Sequence, residues 1–97
     1  MVEIIWMPQA IEDLENIENY IGKDSPEYAS LLFKKIFTSV ETLKQFPKMG
    51  RVVPEYGKET LRELIVRNYR IVYKIINDKI EIQTIFHGSY ISGLDKF

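Results

Sequence analysis

Apolar and polar residues repeat along this chain with two different periods, and the change of period divides it. Val2 to Trp6 (Val-Glu-Ile-Ile-Trp) is a short β-rich run stopped by Pro8, which predicts a strand. Pro8 suits the first turn of a helix, where its missing N–H has no bond to make. Ile11, Leu14, Ile17 and Ile21 then follow in steps of three and four, with Tyr20 beside the last. Glu12, Asp13, Glu15, Asn16, Glu18 and Asn19 occupy the other side. This is one stripe of an amphipathic helix ending at Gly22, with a solvated acidic face. Ser25-Pro26-Glu27 has the order of an N-cap, a first-turn proline and a first-turn acid. A second stripe runs through Ala29, Leu32, Phe33, Ile36, Phe37, Val40, Leu43 and Phe46 to Pro47. A link of about three residues makes the two helices an antiparallel hairpin. Neither stripe can be buried on the other alone, so a sheet is required as a second layer.

Pro47 to Lys58 holds two prolines and two glycines and reads as a loop, pinned by Val52-Val53. From Thr60 the period becomes two. Leu61–Val66, Tyr69–Ile76 and Lys79–Phe86 are β-branched and aromatic runs, separated by Arg67-Asn68 and Asn77-Asp78. Two-residue turns of this kind make tight hairpins and a meander. The fold expected is α+β, a two-helix hairpin on one face of a twisted antiparallel sheet in the order β-α-α-β-β-β, with residues 1–97 as a single domain.

The turns also fix a register. With Asn77-Asp78 as the turn, Ile75 faces Ile80, Lys74 faces Glu81 and Tyr73 faces Ile82. Continued without a break, Ile71 faces Thr84, Arg70 faces Ile85 and Tyr69 faces Phe86. Through Arg67-Asn68, Val66 faces Tyr69 and Ile65 faces Arg70. One face then carries Leu64, Val66, Tyr69, Ile71, Tyr73, Ile75, Ile80, Ile82 and Phe86. At roughly 1.5–3 kcal/mol per buried large side chain, this face must meet the helices. The other carries Leu61, Glu63, Ile65, Arg70, Val72, Lys74, Glu81, Gln83, Ile85 and His87. Its apolar members form a patch that needs a cover, whether a C-terminal segment, a partner chain or a substrate. Arg70 and His87 are expected to share that surface.

Composition removes several function classes. There is no cysteine and one histidine, so thiol chemistry and disulfides are excluded and a metal site is not expected. No cofactor is called for. No apolar run approaches the roughly 20 residues of a membrane span. Met1–Pro8 has an acid and no basic start, unlike a secretory leader, so the expected compartment is the cytoplasm. The net charge of −1 hides an asymmetry. Residues 1–27 carry seven acids and one base, whereas residues 48–74 carry seven bases and three acids. All four arginines, Arg51, Arg62, Arg67 and Arg70, fall in that second stretch. Arginine is the residue of bidentate carboxylate and phosphate contacts.

Pro47-x-x-Gly50-Arg51, Arg62-Glu63-Leu64, Tyr69-Arg70-Ile71-Val72-Tyr73 and the closing Ile85-Phe86-His87-Gly88, set behind a strand and an acidic helix hairpin, resemble the RelE/ParE toxin superfamily. That superfamily includes plasmid-stabilisation proteins. The likeness runs from about residue 3 to residue 90, and it is the combination that is specific. It implies the growth-arresting member of a type II toxin–antitoxin pair. A cognate antitoxin would neutralise it with a helix and an extended segment, with the toxin as a homodimer or in a toxin–antitoxin hetero-oligomer. RelE-like members cut mRNA on the ribosome, and ParE-like members poison DNA gyrase without being nucleases. Only the first class is enzymatic.

A nuclease must activate a 2′-hydroxyl, stabilise a phosphorane and protonate a leaving oxygen. The resemblance offers Arg70 as phosphate clamp, Arg62 and Arg51 as supporting cations, Glu55 or His87 as general base and His87 or Tyr90 as acid. Against it stands a pI of about 5.8, since grip on a nucleic-acid backbone is mainly cationic. The ParE-like reading is favoured. It makes Arg51, Arg62, Arg67 and Arg70, with Leu61, Ile65 and Ile85, a protein-binding surface. Many members carry an arginine two residues after His-Gly, where this chain has Tyr90, which favours a nuclease-like end. A relic that only binds antitoxin is a third reading. Each candidate also has an ordinary structural role: Arg70 in an ion pair with Glu63, Arg51 anchoring its own loop, His87 hydrogen-bonded at a strand end. Trp6, Tyr20, Phe33, Phe37 and Phe46 are expected in the core.

Overall fold

The computed structural model describes residues 2–88; Tyr90 lies outside them. The elements run β1 (Glu3–Trp6), α1 (Pro8–Gly22), α2 (Pro26–Thr42), β2 (Arg51–Val52), β3 (Leu61–Val66), β4 (Tyr69–Ile76) and β5 (Lys79–His87). Pro8 and Pro26 open the two helices, and the Ser25 hydroxyl caps α2 by accepting from the Tyr28 N–H at 3.2 Å. No helix among the described residues is long and apolar enough to cross a membrane.

The strands form one sheet in the order β1-β5-β4-β3-β2. It is mixed rather than antiparallel, because β1 lies parallel to β5, with Ile4 beside Ile80 and Trp6 beside Ile82. Nothing local fixes the direction of β1, whose partner lies more than seventy residues along the chain. It is the helix hairpin that returns the chain from this edge to the other. β2 is a second departure: the stretch read as loop pairs Arg51 with Glu63 and Val52 with Arg62.

The hairpin registers hold through β3–β4 and the first half of β4–β5, where Val66 faces Tyr69 and Tyr73 faces Ile82. Between Val72 and Tyr73 the ladder slips by one, and Ile71 faces Ile85, Arg70 faces Phe86 and Tyr69 faces His87. A bulge inserts one residue and reverses the alternation beyond it. It replaces Thr84 with Ile85 in the layer under the helices, where Ile85 is 2% exposed. It also moves Phe86 out of that layer. β1 ends at Trp6, so it does not flank β5 past Ile82. Asp13 of α1 takes over there, accepting from the Ile85 N–H at 2.9 Å and from the Thr84 hydroxyl. An acid expected on a solvated helix face thus ties α1 to the sheet. Asp13→Ala is expected to cost about 1–2 kcal/mol through the unpaired N–H, measurable by urea denaturation.

The main core joins Ala10 and Leu14 of α1 and Leu32, Ile36 and Val40 of α2 to Leu64, Val66, Ile71, Tyr73, Ile80, Ile82 and Ile85. Trp6 and Phe33 pack on it half-buried, while Tyr20, Phe37 and Phe46 are exposed rather than core. The apolar stripe of α2 is wider than the sheet can cover. The opposite face of the sheet is covered in part by the chain itself. Val53 and Tyr56 of the loop after β2 pack on Leu61, Val72 and Phe86.

Candidate functional site

The arginine-rich segment folds into a set of ties that fasten this loop to the sheet. The alternation of β3 and β4 brings Glu63 and Arg70 to the loop-covered face. Glu63 is 1% exposed and Arg70 4%. Two charges at that depth require each other, since an unpaired buried ion costs several kcal/mol. Arg70 Nε donates to Glu63 Oε1 at 2.6 Å. Its Nη1 and Nη2 donate to the two oxygens of Glu55 at 2.8 and 2.7 Å, a bidentate pair. The other Glu63 oxygen accepts from Arg51 Nε at 2.6 Å. The guanidinium also lies 5.2 Å from the centre of the Phe86 ring, a cation–π contact. The result is a chain of alternating charge, Arg51–Glu63–Arg70–Glu55.

Arg62 performs the same task on the next loop. It donates to the Gly50 carbonyl at 2.8 Å, the Glu59 carbonyl at 2.9 Å and the Glu59 carboxylate at 2.7 Å. Tyr73, fully buried, accepts from the Gly50 N–H at 3.0 Å and donates to the Pro47 carbonyl at 2.7 Å. Pro-x-x-Gly-Arg is thereby bound at four of its positions, Pro47, Lys48, Gly50 and Arg51, to β3 and β4.

These contacts set the chemistry. The hydrogen bonds from Arg70 hold the Glu55 carboxyl down at about 2, against an ordinary 4.5. Glu55 in turn raises the Arg70 guanidinium above its usual range. A general base works best with a pKa near the working pH, and Glu55 is far from that. Its lowered pKa stabilises the fold fully above about pH 4.5, and this contribution is lost as the pH falls toward 2. Acid titration of unfolding should therefore show wild-type stability falling through that window, with the fall reduced in Glu55→Gln.

The bulge separates Arg70 from His87 by register. His87 sits in register with Tyr69, edge-on to its ring at 5.1 Å, while Arg70 pairs with Phe86 on the other face. The register expected from an unbroken ladder is corrected accordingly, although both residues still line one cleft at the end of the sheet. Leu61 and Ile85 are buried, one under the Val53 loop and the other under the helices, and so cannot form an exposed binding face. Ile65, at 52% exposure, and the exposed Arg67 and Arg51 remain at the surface. They line a cleft of about 490 Å³ at the β3–β4 turn, which Arg70 and His87 also reach. A second cleft of about 550 Å³ adjoins it across Ile65 and Arg67, walled by Leu31, Lys34 and Lys35 of α2. Sequence reading passed over these three, although all lie off the apolar stripe of α2 and so had to face outward.

The ParE toxin family, described as the ParE toxin of the type II parDE toxin–antitoxin system, matches residues 4–91. Toxin RelE2 of Caulobacter vibrioides is 32% identical over 90 residues, 92% of this chain and 98% of the relative. Among solved structures, the chromosomal ParDE toxin–antitoxin system of P. aeruginosa superposes with a TM-score of 0.73 at 22% identity, over 92% of this chain and 98% of that one. A chain of the heterotetrameric YoeB–YefM toxin–antitoxin complex of Staphylococcus aureus gives 0.58 at 17% identity, over 93% and 99%.

Proposed function

The chain belongs to the ParE toxin family and is the toxin of a type II toxin–antitoxin system, and on that premise we propose that it arrests growth by binding DNA gyrase rather than by cutting RNA. The observation that carries this reading is the burial of Arg70 between Glu63 and Glu55. A phosphate clamp must present its guanidinium to the substrate, and this one is spent on two carboxylates. Arg62 is likewise turned to loop carbonyls. The nuclease reading loses its central cation and its carboxylate base together. The binding reading needs only an exposed surface, and Arg51, Ile65 and Arg67 supply one.

The test is a supercoiling assay with purified gyrase, relaxed plasmid and the purified chain. Supercoiling should fall with increasing toxin, and prior addition of the cognate antitoxin should restore it. Full supercoiling at toxin in large excess over gyrase would contradict the proposal.

A further inference from the structure

The two clefts at the β3–β4 turn adjoin, sharing Ile65 and Arg67. Side chains that donate hydrogen bonds run through both. α2 supplies Lys34, Lys35, Thr38 and Ser39, and the turn supplies Arg67 and Asn68. Lys34, Lys35 and Arg67 are exposed, and none of the three has an ion pair among the described residues. Among those residues no carboxylate lines either cleft, although the chain has a net charge of −1. Its acids are concentrated elsewhere, with seven of them in residues 1–27. Free cations with hydroxyl and amide donors between them, and no competing acid, are the chemistry that grips phosphate oxygens.

We propose that these joined clefts bind the phosphate backbone of duplex DNA, with Lys34, Lys35 and Arg67 as the neutralising cations and Thr38, Ser39 and Asn68 as supporting donors. A row of phosphates offers acceptor oxygens at every step of such a run. Arg51 and Arg70 reach the clefts but add little charge, since Glu63 and Glu55 already hold them. The lining also selects the kind of nucleic acid. Among the described residues no phenylalanine, tyrosine or tryptophan lines either cleft, so unpaired bases would find no ring of that kind to stack on. A duplex is gripped by its backbone alone, with its bases already stacked. This inference deepens the gyrase reading and rests on it only for the source of the duplex: the toxin would meet DNA while bound to the enzyme that holds it.

The probe is a fluorescein-labelled DNA duplex of mixed sequence, titrated with the purified chain at two salt concentrations and followed by anisotropy. Three phosphate contacts, at a logarithmic slope of about −0.9 each, predict that affinity falls about fortyfold between about 50 and 200 mM salt. The Lys34→Gln/Lys35→Gln protein keeps one of the three. It should bind more weakly at the lower salt and lose only about fourfold over the same range, with its melting temperature at the wild-type value. No duplex binding at the lower salt, or the same salt dependence in wild type and variant, would overturn the proposal. Tighter binding of a single-stranded RNA of equal length would assign the clefts to RNA and overturn it. Displacement of the duplex by an equimolar peptide of alternating glutamate and valine would assign them to an acidic protein segment, with the same consequence. Duplex binding by a chain that leaves supercoiling untouched would remove the gyrase reading and leave this one standing. Supercoiling inhibited by a chain that binds no duplex would do the reverse.

Discussion

Arg70→Ala should lower the unfolding free energy by about 3–5 kcal/mol, the cost of leaving one member of a buried ion pair alone. Glu63, 1% exposed, would retain only Arg51, whose side chain is 58% exposed. Glu55 would lose its bidentate partner, and the loop it holds would loosen over Val72 and Phe86. At about 4–8 °C per kcal/mol for a domain of this size, the fall in melting temperature is large. The consequence concerns function: loss of toxicity in Arg70→Ala would report unfolding, not catalysis. The informative variant is Glu63→Met with Arg70→Met. Replacing a buried pair by apolar side chains of similar volume is often neutral or stabilising, so the double variant should recover most of the lost stability. It should also remain toxic, because the contact proposed with the target runs through Arg51, Ile65 and Arg67 rather than through the buried pair.

The second large effect is expected at Gly50. A Cβ there would lie 2.5 Å from the Glu63 carbonyl and 2.7 Å from the Tyr73 hydroxyl oxygen. Neither neighbour can yield, since one is sheet backbone and the other is a buried ring hydrogen-bonded on both sides of the loop. Overpacking costs about 1–3 kcal/mol, and displacing the Tyr73 hydroxyl from its partners adds about 1–3 kcal/mol. Gly50→Ala should therefore approach Arg70→Ala in chemical denaturation, although one methyl group has been added. Tyr73→Phe removes the hydroxyl without the clash and should show the hydrogen-bond part alone.

These two sites explain the motif that made the chain recognisable. Pro47-x-x-Gly50-Arg51 and Tyr69-Arg70-Ile71-Val72-Tyr73 read as a set of candidate functional residues. In the folded chain they bind each other, Tyr73 to Pro47 and Gly50, and Arg51 to Arg70 through Glu63. The Arg70–Glu63 pair was legible from the alternation of β3 and β4, because both positions fall on one face in adjacent strands. The arrival of Glu55 was not, since a loop with two prolines carries no period to say where it lies.

The helices, their proline starts and four of the five strands followed from composition, period and turn chemistry. The bulge in β5 did not. Ile71–Thr84 and Tyr69–Phe86 were acceptable apolar pairings, so the sequence held no local conflict to reveal the slip. Its cause is tertiary, with β1 ending at Trp6 and Asp13 taking the freed edge. One inserted residue then moved Ile85 into the core, Phe86 to the side of Arg70 and His87 beside Tyr69. The same kind of distant pairing hid the parallel β1. The exposed Phe37 and Phe46 show the converse limit: a helix stripe gives direction, but not how far the opposing layer extends.

Arg70 serves as a strut between Glu63 and Glu55, and the proposed toxin leaves RNA uncut. Primer extension on highly translated messages from cells arrested by this toxin tests that directly. The 5′ ends should match those seen before induction. New ends phased with codons would contradict it and restore the arginine segment as a nuclease site.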